Sequence, residues 1–144
     1  MAEVMNEPYA PVSPYLMVDE GNAALEFYKR ALNAEVRETY PYEGKLGHAT
    51  LRINGGDVML SDEFPAHADM TGTKSPKSLG GTTTTISLAV QDVDDWFDRA
   101  VDAGAAVLRA PNDEFYGRMA KVRDPYGHVW SFTGPQKGGG PEAA

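Results

Sequence analysis

Cysteine is absent from all 144 residues, so disulfides and thiolate chemistry are excluded. Long apolar runs are missing too: none approaches the roughly 20 residues that a helix needs to cross a bilayer. The N-terminal stretch MAEVMNEPYAPVS has no basic segment leading into an apolar one, which argues against a signal peptide there and makes a cytoplasmic location the expectation. Basic residues are few beside acidic ones, 13 against 21, for a formal charge of −8. That balance repels nucleic acid and anionic membrane, so neither is an expected partner, and it mildly favours cationic ligands. No Gly-x-Ser-x-Gly occurs, and no Gly-rich loop is placed to cradle a phosphate: the glycine pairs at 55–56 and 80–81 read as turns, the run at 138–140 as tail.

The length suits one domain with a real core, and 42% apolar with 24% charged residues is ordinary for a globular chain. Residues 1–12 carry Pro8 and Pro11 without periodicity and read as an arm. Ser13–Asp19 alternates as a strand, with Pro14 at its start or on an edge. A helix follows, with Ala24, Leu25, Tyr28, Ala31 and Leu32 on one stripe and Asn33 suited to a left-handed stop. Strands are expected over Glu35–Tyr40, His48–Ile53 and Asp57–Asp62. Residues 63–81, rich in Pro, Gly, Ser and Thr, read as a linker that also serves as a flap over a site.

The order then repeats. A strand over Thr82–Val90 leads to a helix with Asp92 as N-cap, further acids in its first turn and Gly104 as stop. Val93, Trp96, Phe97, Ala100 and Val101 form its stripe. Ala105–Ala110 reads as a strand, PNDEFYG as a loop, and GRMAKVRDPYGHVWSF as two strands about a turn with Pro at its second position. Residues 134–144 read as a disordered tail. VDEGNAALEFY lies over VQDVDDWF, and HATLR over MAKVR with Arg52 opposite Arg123. The expectation is an α+β fold of two βαβββ modules, 13–62 and 82–133, within one domain over 13–133.

Paired modules carrying PYLMV, FYKRAL, HATLRI, MLSDE, FYGR and DPYGHVW resemble the vicinal oxygen chelate superfamily, the glyoxalase, bleomycin-resistance and extradiol dioxygenase group, and within it a PhnB-like branch. The resemblance covers residues 13–133 and implies two half-barrel sheets around a shared cleft, with helices on the outer faces. The apolar faces of the strands (Leu16, Val18, Ala49, Leu51, Ile53, Val58, Leu60, Ile86, Leu88, Trp130, Phe132) would then pack on helices, and the mixed faces would line the cleft. It also implies that the metal-ligand positions fall on Ser13, Met59, Thr85 and Ser131. Three hydroxyls and a thioether do not hold a divalent first-row ion, and a slip of one residue brings Pro14, Leu60, Ile86 and Trp130 or Phe132. No metal and no other cofactor is therefore expected.

Of the three histidines, His48 shares a face with Thr50 and Arg52 and reads either as a general base or ligand hydrogen-bond group, or as a histidine satisfied by its neighbours. His128 reads as bonded to its turn and His67 as solvent-exposed. Tyr15, Met17, Met59, Phe115, Tyr116 and Met119 are candidates for an aromatic and thioether wall. Ser61, Thr85, Ser87, Lys121 and Ser131 supply polar groups on the same faces. Arg118, Arg123, Lys121 and Arg52 either take an anionic group or pair with Asp57, Asp113 or Glu114; Asp62 and Glu63 either meet a cationic ligand or solvate a strand end. The functional expectation is a metal-free protein that sequesters a small organic, cationic aromatic, antibiotic-like ligand. The alternative is an enzyme that moves protons through His48, and a weaker one a metal-dependent lyase or dioxygenase. Members of such a group share modules between subunits, so a homodimer is expected.

Overall fold

The computed structural model describes residues 8–138, which leaves residues 1–7 of the expected arm and 139–144 of the expected tail outside the described residues. Alternation fixes the strands first. In the first module β1 (Tyr15–Val18), β2 (Glu35–Tyr42), β3 (Lys45–Ile53) and β4 (Gly56–Asp62) surround helix α1 (Gly21–Ala31). They form one sheet in the order β1-β4-β3-β2, with β1 parallel to β4 and the other pairs antiparallel. The second module repeats this with β5 (Thr85–Ala89), β6 (Ala106–Glu114), β7 (Gly117–Arg123), β8 (Val129–Gly134) and a long helix at Val93–Ala103, its sheet running β5-β8-β7-β6. Two copies of one topology confirm the α+β, paired-module reading.

The linker is more ordered than its composition suggests. It holds a 3-10 turn at Pro65–His67 and two single-turn helices, α2 (Ala68–Thr71) and α3 (Pro76–Leu79), which makes the long helix of the second module α4. Ser75 caps α3 by accepting from Ser78 N, and Gly72 and Gly80 end the two turns in the left-handed region. Glu63 accepts from the Ser75 N–H and from Ser78 Oγ at 2.9 Å, so this carboxylate ties down the linker rather than waiting for a ligand.

The apolar faces bury as the alternation requires. Leu16, Val18, Ala49, Leu51, Ile53, Leu60, Trp130 and Phe132 join Ala24, Leu25, Phe27, Tyr28 and Ala31 of α1 in one core that runs through both modules, with Ile86, Trp96 and Phe97 packed against it. Each large apolar side chain fully removed from water contributes about 1.5–3 kcal/mol. α1 and α4 pack on each other as well as on their sheets. Asn33 takes φ 52° just beyond α1, and Asp92 Oδ1 accepts from Asp95 N at 3.0 Å to cap α4.

α1 is capped from a distance. Glu20 makes no side-chain cap; Asp62 at the end of β4 accepts from Gly21 N and from Leu46 N, both at 2.8 Å. A Cβ on Gly21 would stand 2.7 Å from that carboxylate and 2.6 Å from the Leu46 side chain, so a glycine is required there. Asp62 is thereby committed to the fold.

Several strand ends shift by two or three residues from the sequence expectation, with β2 running on to Tyr42 and β3 starting at Lys45, and two boundaries differ for a tertiary reason. PNDE was expected to be a loop, yet β6 continues to Glu114. β6 is an edge strand, and its ladder shifts register between Arg109 and Asn112, where the missing N–H of Pro111 costs no bond. The tail expected from residue 134 is held as far as Gly138: Lys137 N and Gly138 N donate to Asp113 at 2.9 and 3.0 Å, and Lys137 Nζ lies 2.7 Å from Asp94. Among the described residues no helix is long and apolar enough to cross a membrane.

Candidate functional site

The polar face of the first sheet is set by register. Glu38 lies opposite Thr50, Thr50 opposite Met59 and Met59 opposite Tyr15, one row across four strands, with Tyr40 opposite His48 beside it. Side chains in such a row are near neighbours. Tyr15 Oη is 2.8 Å from His48 Nδ1, His48 Nε2 is 2.9 Å from Thr50 Oγ1, and Thr50 Oγ1 donates to Glu38 Oε2 at 2.8 Å. Tyr40 Oη donates to the other oxygen, Oε1, at 2.9 Å. The imidazole is stacked obliquely between Tyr15 and Tyr40, with ring centres 5.4 and 5.7 Å away.

Glu38 is 1% exposed, and burial by itself would raise its pKa. Hydrogen bonds from Tyr9, Thr50 and Tyr40 outweigh that, joined by the positive charge that His48 carries only in acid, so the carboxyl lies below its usual range and stays ionised. The Tyr9 hydroxyl is pushed up to about 12 by its bond to Glu38, with burial second. His48 is lowered by burial, against the opposing pull of Glu38, so it is neutral near pH 7. Tyr15 is raised by burial, opposed by Ser61. An ionised carboxylate, a neutral imidazole and an un-ionised phenol thus form one connected chain.

Glu38 was not among the sequence candidates. It shares the period-two parity of Tyr40 in EVRETY, so its face was legible; that its strand would pair with the His48 strand in this register was not.

A cavity of about 860 Å³ lies at the edge of this sheet, between modules and under the linker. Pro14, Tyr15, Leu16 and Met17 form one wall. The linker supplies Ala68, Asp69, Gly72, Thr73, Lys74, Pro76, Leu79 and Gly81, and the second module supplies Thr82–Thr84 from its start and His128 from the turn before β8. The linker therefore does cover a hollow. His128 also sets the hollow's width, since its Nε2 donates to Met17 O at 2.8 Å and ties the second module to β1.

Of the sequence candidates, Tyr15 and Met17 line this cavity, and His48 and Thr50 stand behind Tyr15. Ser61 is buried beside Met17, its hydroxyl 3.2 Å from the sulfur; Met59 is in the Thr50–Tyr15 row. Thr85, Ser87, Met119, Lys121 and Ser131 stand on the second sheet, where Ser87 Oγ and Ser131 Oγ are 2.7 Å apart. Phe115 and Tyr116 occupy the exposed β6–β7 turn, packed edge-to-face on each other. Arg52 is committed to Asp57 at 2.6 Å and Arg118 to Asp94 and Asp113.

Register also regroups the four positions that the resemblance assigns to a metal. β1 and β4 pair Met17 with Ser61, β5 and β8 pair Ser87 with Ser131, and Ser13 lies outside β1 while Thr85 faces Val129. Both groupings offer hydroxyls and thioether, which do not fit a divalent first-row ion. Among the described residues no group of three or more His, Cys, Asp or Glu side chains is close enough to hold one.

The model of the Glyoxalase/Bleomycin resistance protein/Dioxygenase superfamily matches residues 10–132. An uncharacterized protein of Mycobacterium bovis is 48% identical over 128 residues, covering 86% of this chain and 82% of its own. Protein YjdN of Escherichia coli is 28% identical, covering 83% of this chain and 92% of its own. Among solved structures, TioX from Micromonospora sp. ML1 superposes with a TM-score of 0.67 at 29% identity, over 86% of this chain and 97% of that one. The fosfomycin resistance protein FosX from Listeria monocytogenes, in complex with Mn(II) and a dihydroxypropylphosphonic acid, shares the fold at 17% identity, with a TM-score of 0.63 over 88% and 90% of the two chains.

Proposed function

Since the chain belongs to the glyoxalase/bleomycin resistance protein/dioxygenase superfamily, we propose that it is a metal-free member that binds and sequesters a small organic molecule in the cavity beneath the linker. The observation that carries this is the cavity itself. Its volume of about 860 Å³ lies within the range of ligand pockets, and it joins an aromatic and apolar wall to a few hydroxyls and one residue of each charge. The net charge of −8 mildly favours a cationic ligand and the Tyr15 wall an aromatic one, so a cationic aromatic, antibiotic-like compound is the proposed occupant. The motif set supports a place in the PhnB-like branch.

A thermal-shift panel of cationic aromatic antibiotics, run with and without chelator and followed by recovery of the ligand, tests the proposal. The expected result is a melting point raised by at least one compound, unaffected by chelator, with the compound returned unchanged. A shift that disappears with chelator, or no shift across the panel, would overturn it. The Tyr15–His48–Thr50–Glu38 chain favours a second reading, proton transfer at the cavity wall. It predicts chemical change in a recovered compound, lost in His48→Ala.

The same proposal includes a homodimer. Val107, Phe115 and Tyr116 along β6 and its turn are 52%, 59% and 51% exposed, an apolar edge strand of the kind that a second copy covers. Sedimentation velocity is expected to give twice the chain mass for the wild type and a monomer for Val107→Lys/Phe115→Lys. A monomeric wild type would refute the dimer and leave the cavity reading standing.

A further inference from the structure

Proton counting gives the chain on the first sheet a single direction. Glu38 is an ionised carboxylate, so both of its oxygens accept. Thr50 has one hydroxyl proton and spends it on Glu38; toward His48 it can offer only a lone pair. The 2.9 Å contact from His48 Nε2 to Thr50 Oγ1 therefore requires the proton on Nε2. A neutral imidazole protonated there has its lone pair on Nδ1. Tyr15, 2.8 Å away, must donate to it. The neighbouring Ser61 hydroxyl has an acceptor of its own in the Asp62 carbonyl, 3.0 Å away. Tyr15 has no second proton, so its oxygen has only lone pairs left to offer, on a residue of the cavity wall that is 46% exposed.

We propose that Tyr15 is a ligand-recognition residue of fixed polarity, an acceptor locked by the hydrogen-bonded row His48–Thr50–Glu38, and that the cavity selects molecules offering it an O–H or N–H donor such as a phenol, an enol or an ammonium group. The proposal rests on the cavity being the binding site. A lone tyrosine hydroxyl rotates to suit donor or acceptor ligands alike. This one gives up its role as donor to a histidine whose tautomer is fixed two bonds further in by a buried charge. A ligand that presents only acceptors would have to break the Tyr15–His48 bond, whereas a donor adds a bond and breaks none. His48, Thr50 and Glu38 are positioning residues in this scheme.

Two measurements decide it. Nitrogen-15 NMR of histidine-labelled protein near neutral pH is expected to show His48 protonated at Nε2 and bare at Nδ1. In Thr50→Val, which does not touch the cavity, that preference is expected to relax toward a mixture of tautomers. A proton on Nδ1 in the wild type would reverse the chain and overturn the proposal without any ligand.

The second measurement titrates 4-methylphenol and 4-methylanisole, near-isosteres with and without the donor, at neutral pH, where the phenol is protonated and the imidazole neutral. 4-Methylphenol is expected to bind about tenfold more tightly, equivalent to about 1.4 kcal/mol. That preference should vanish in Tyr15→Phe, and a melting curve should show the variant folded. Equal binding of the two probes would overturn the donor preference and leave the cavity reading intact, whereas no binding of either would count against both.

Discussion

Asp124→Ala is expected to cost about 3–5 kcal/mol of folding stability, the range for stripping a buried charge from several hydrogen-bond donors at once. Asp124 is 3% exposed and gathers four donors. Tyr126 N and His128 N reach Oδ1 at 2.9 and 3.0 Å, Trp130 Nε1 reaches Oδ2 at 2.9 Å, and the Tyr28 hydroxyl bonds the same oxygen from α1. The first two shape the DPYG turn, and the last two join the helix of one module to the sheet of the other. Truncation leaves a phenol, an indole and two amides buried without an acceptor. Against a total of about 5–15 kcal/mol for an ordinary domain, this is a large share.

Chemical denaturation should show the loss as a lower midpoint with unchanged slope, and the indole proton of Trp130 should lose its protection against exchange. Asp124→Asn, which keeps one acceptor but turns an NH2 toward the donors, is expected to fall between. The turn also carries Gly127 at φ 95°, where a Cβ would stand 2.5 Å from Pro76 of the linker. Loosening it should therefore widen the cavity, since His128 and Pro76 both line that hollow. A loss below about 1 kcal/mol, the worth of a single ordinary hydrogen bond, would show that the four contacts do not act together.

Glu38→Ala is expected to be the second most damaging change, at about 2–4 kcal/mol, because the hydroxyls of Thr50, Tyr40 and Tyr9 lose one shared acceptor. The pH dependence follows from the direction of the shift. The carboxyl lies below its usual range in the folded protein, so the unfolded chain binds its proton more readily. The stabilisation is complete above the ordinary carboxylate pKa and drains away as pH falls through the lower folded value. Stability measured from neutral pH downward should therefore fall less steeply in Glu38→Ala than in the wild type.

Glu38 also raises the pKa of His48 against the effect of burial. Removing it should lower the imidazole pKa further and free its tautomer, both visible by nitrogen-15 NMR. An unchanged His48 spectrum in a folded Glu38→Ala protein would show that the carboxylate is isolated from the imidazole.

The faces of the strands were legible because burial imposes a period of two that any short window displays. Leu16, Val18, Ala49 and Leu51 all lie where alternation put them. Helix ends with local causes were equally plain, as with Asn33 in the left-handed region and Asp92 folded back on Asp95. Ends with distant causes were not. Nothing near Gly21 announces that Asp62, 41 residues on, will cap α1. PNDE looked like a loop because proline and asparagine disfavour strands in general, and the exemption that an edge position grants Pro111 depends on which strand lies beside it.

The sequence by itself determined two like modules, the faces that their elements bury and the shortage of metal-ligating side chains at the positions the resemblance assigns, since each follows from residue type and short-range spacing. The tertiary structure decided that Glu38 would stand behind His48, that the linker would roof a hollow beside Tyr15, and that Asp124 would bind the modules together. Those pairings join residues separated by 10 to 96 positions. The free energy of such contacts depends on register, packing and distance from water, and these exist only once the chain has closed on itself.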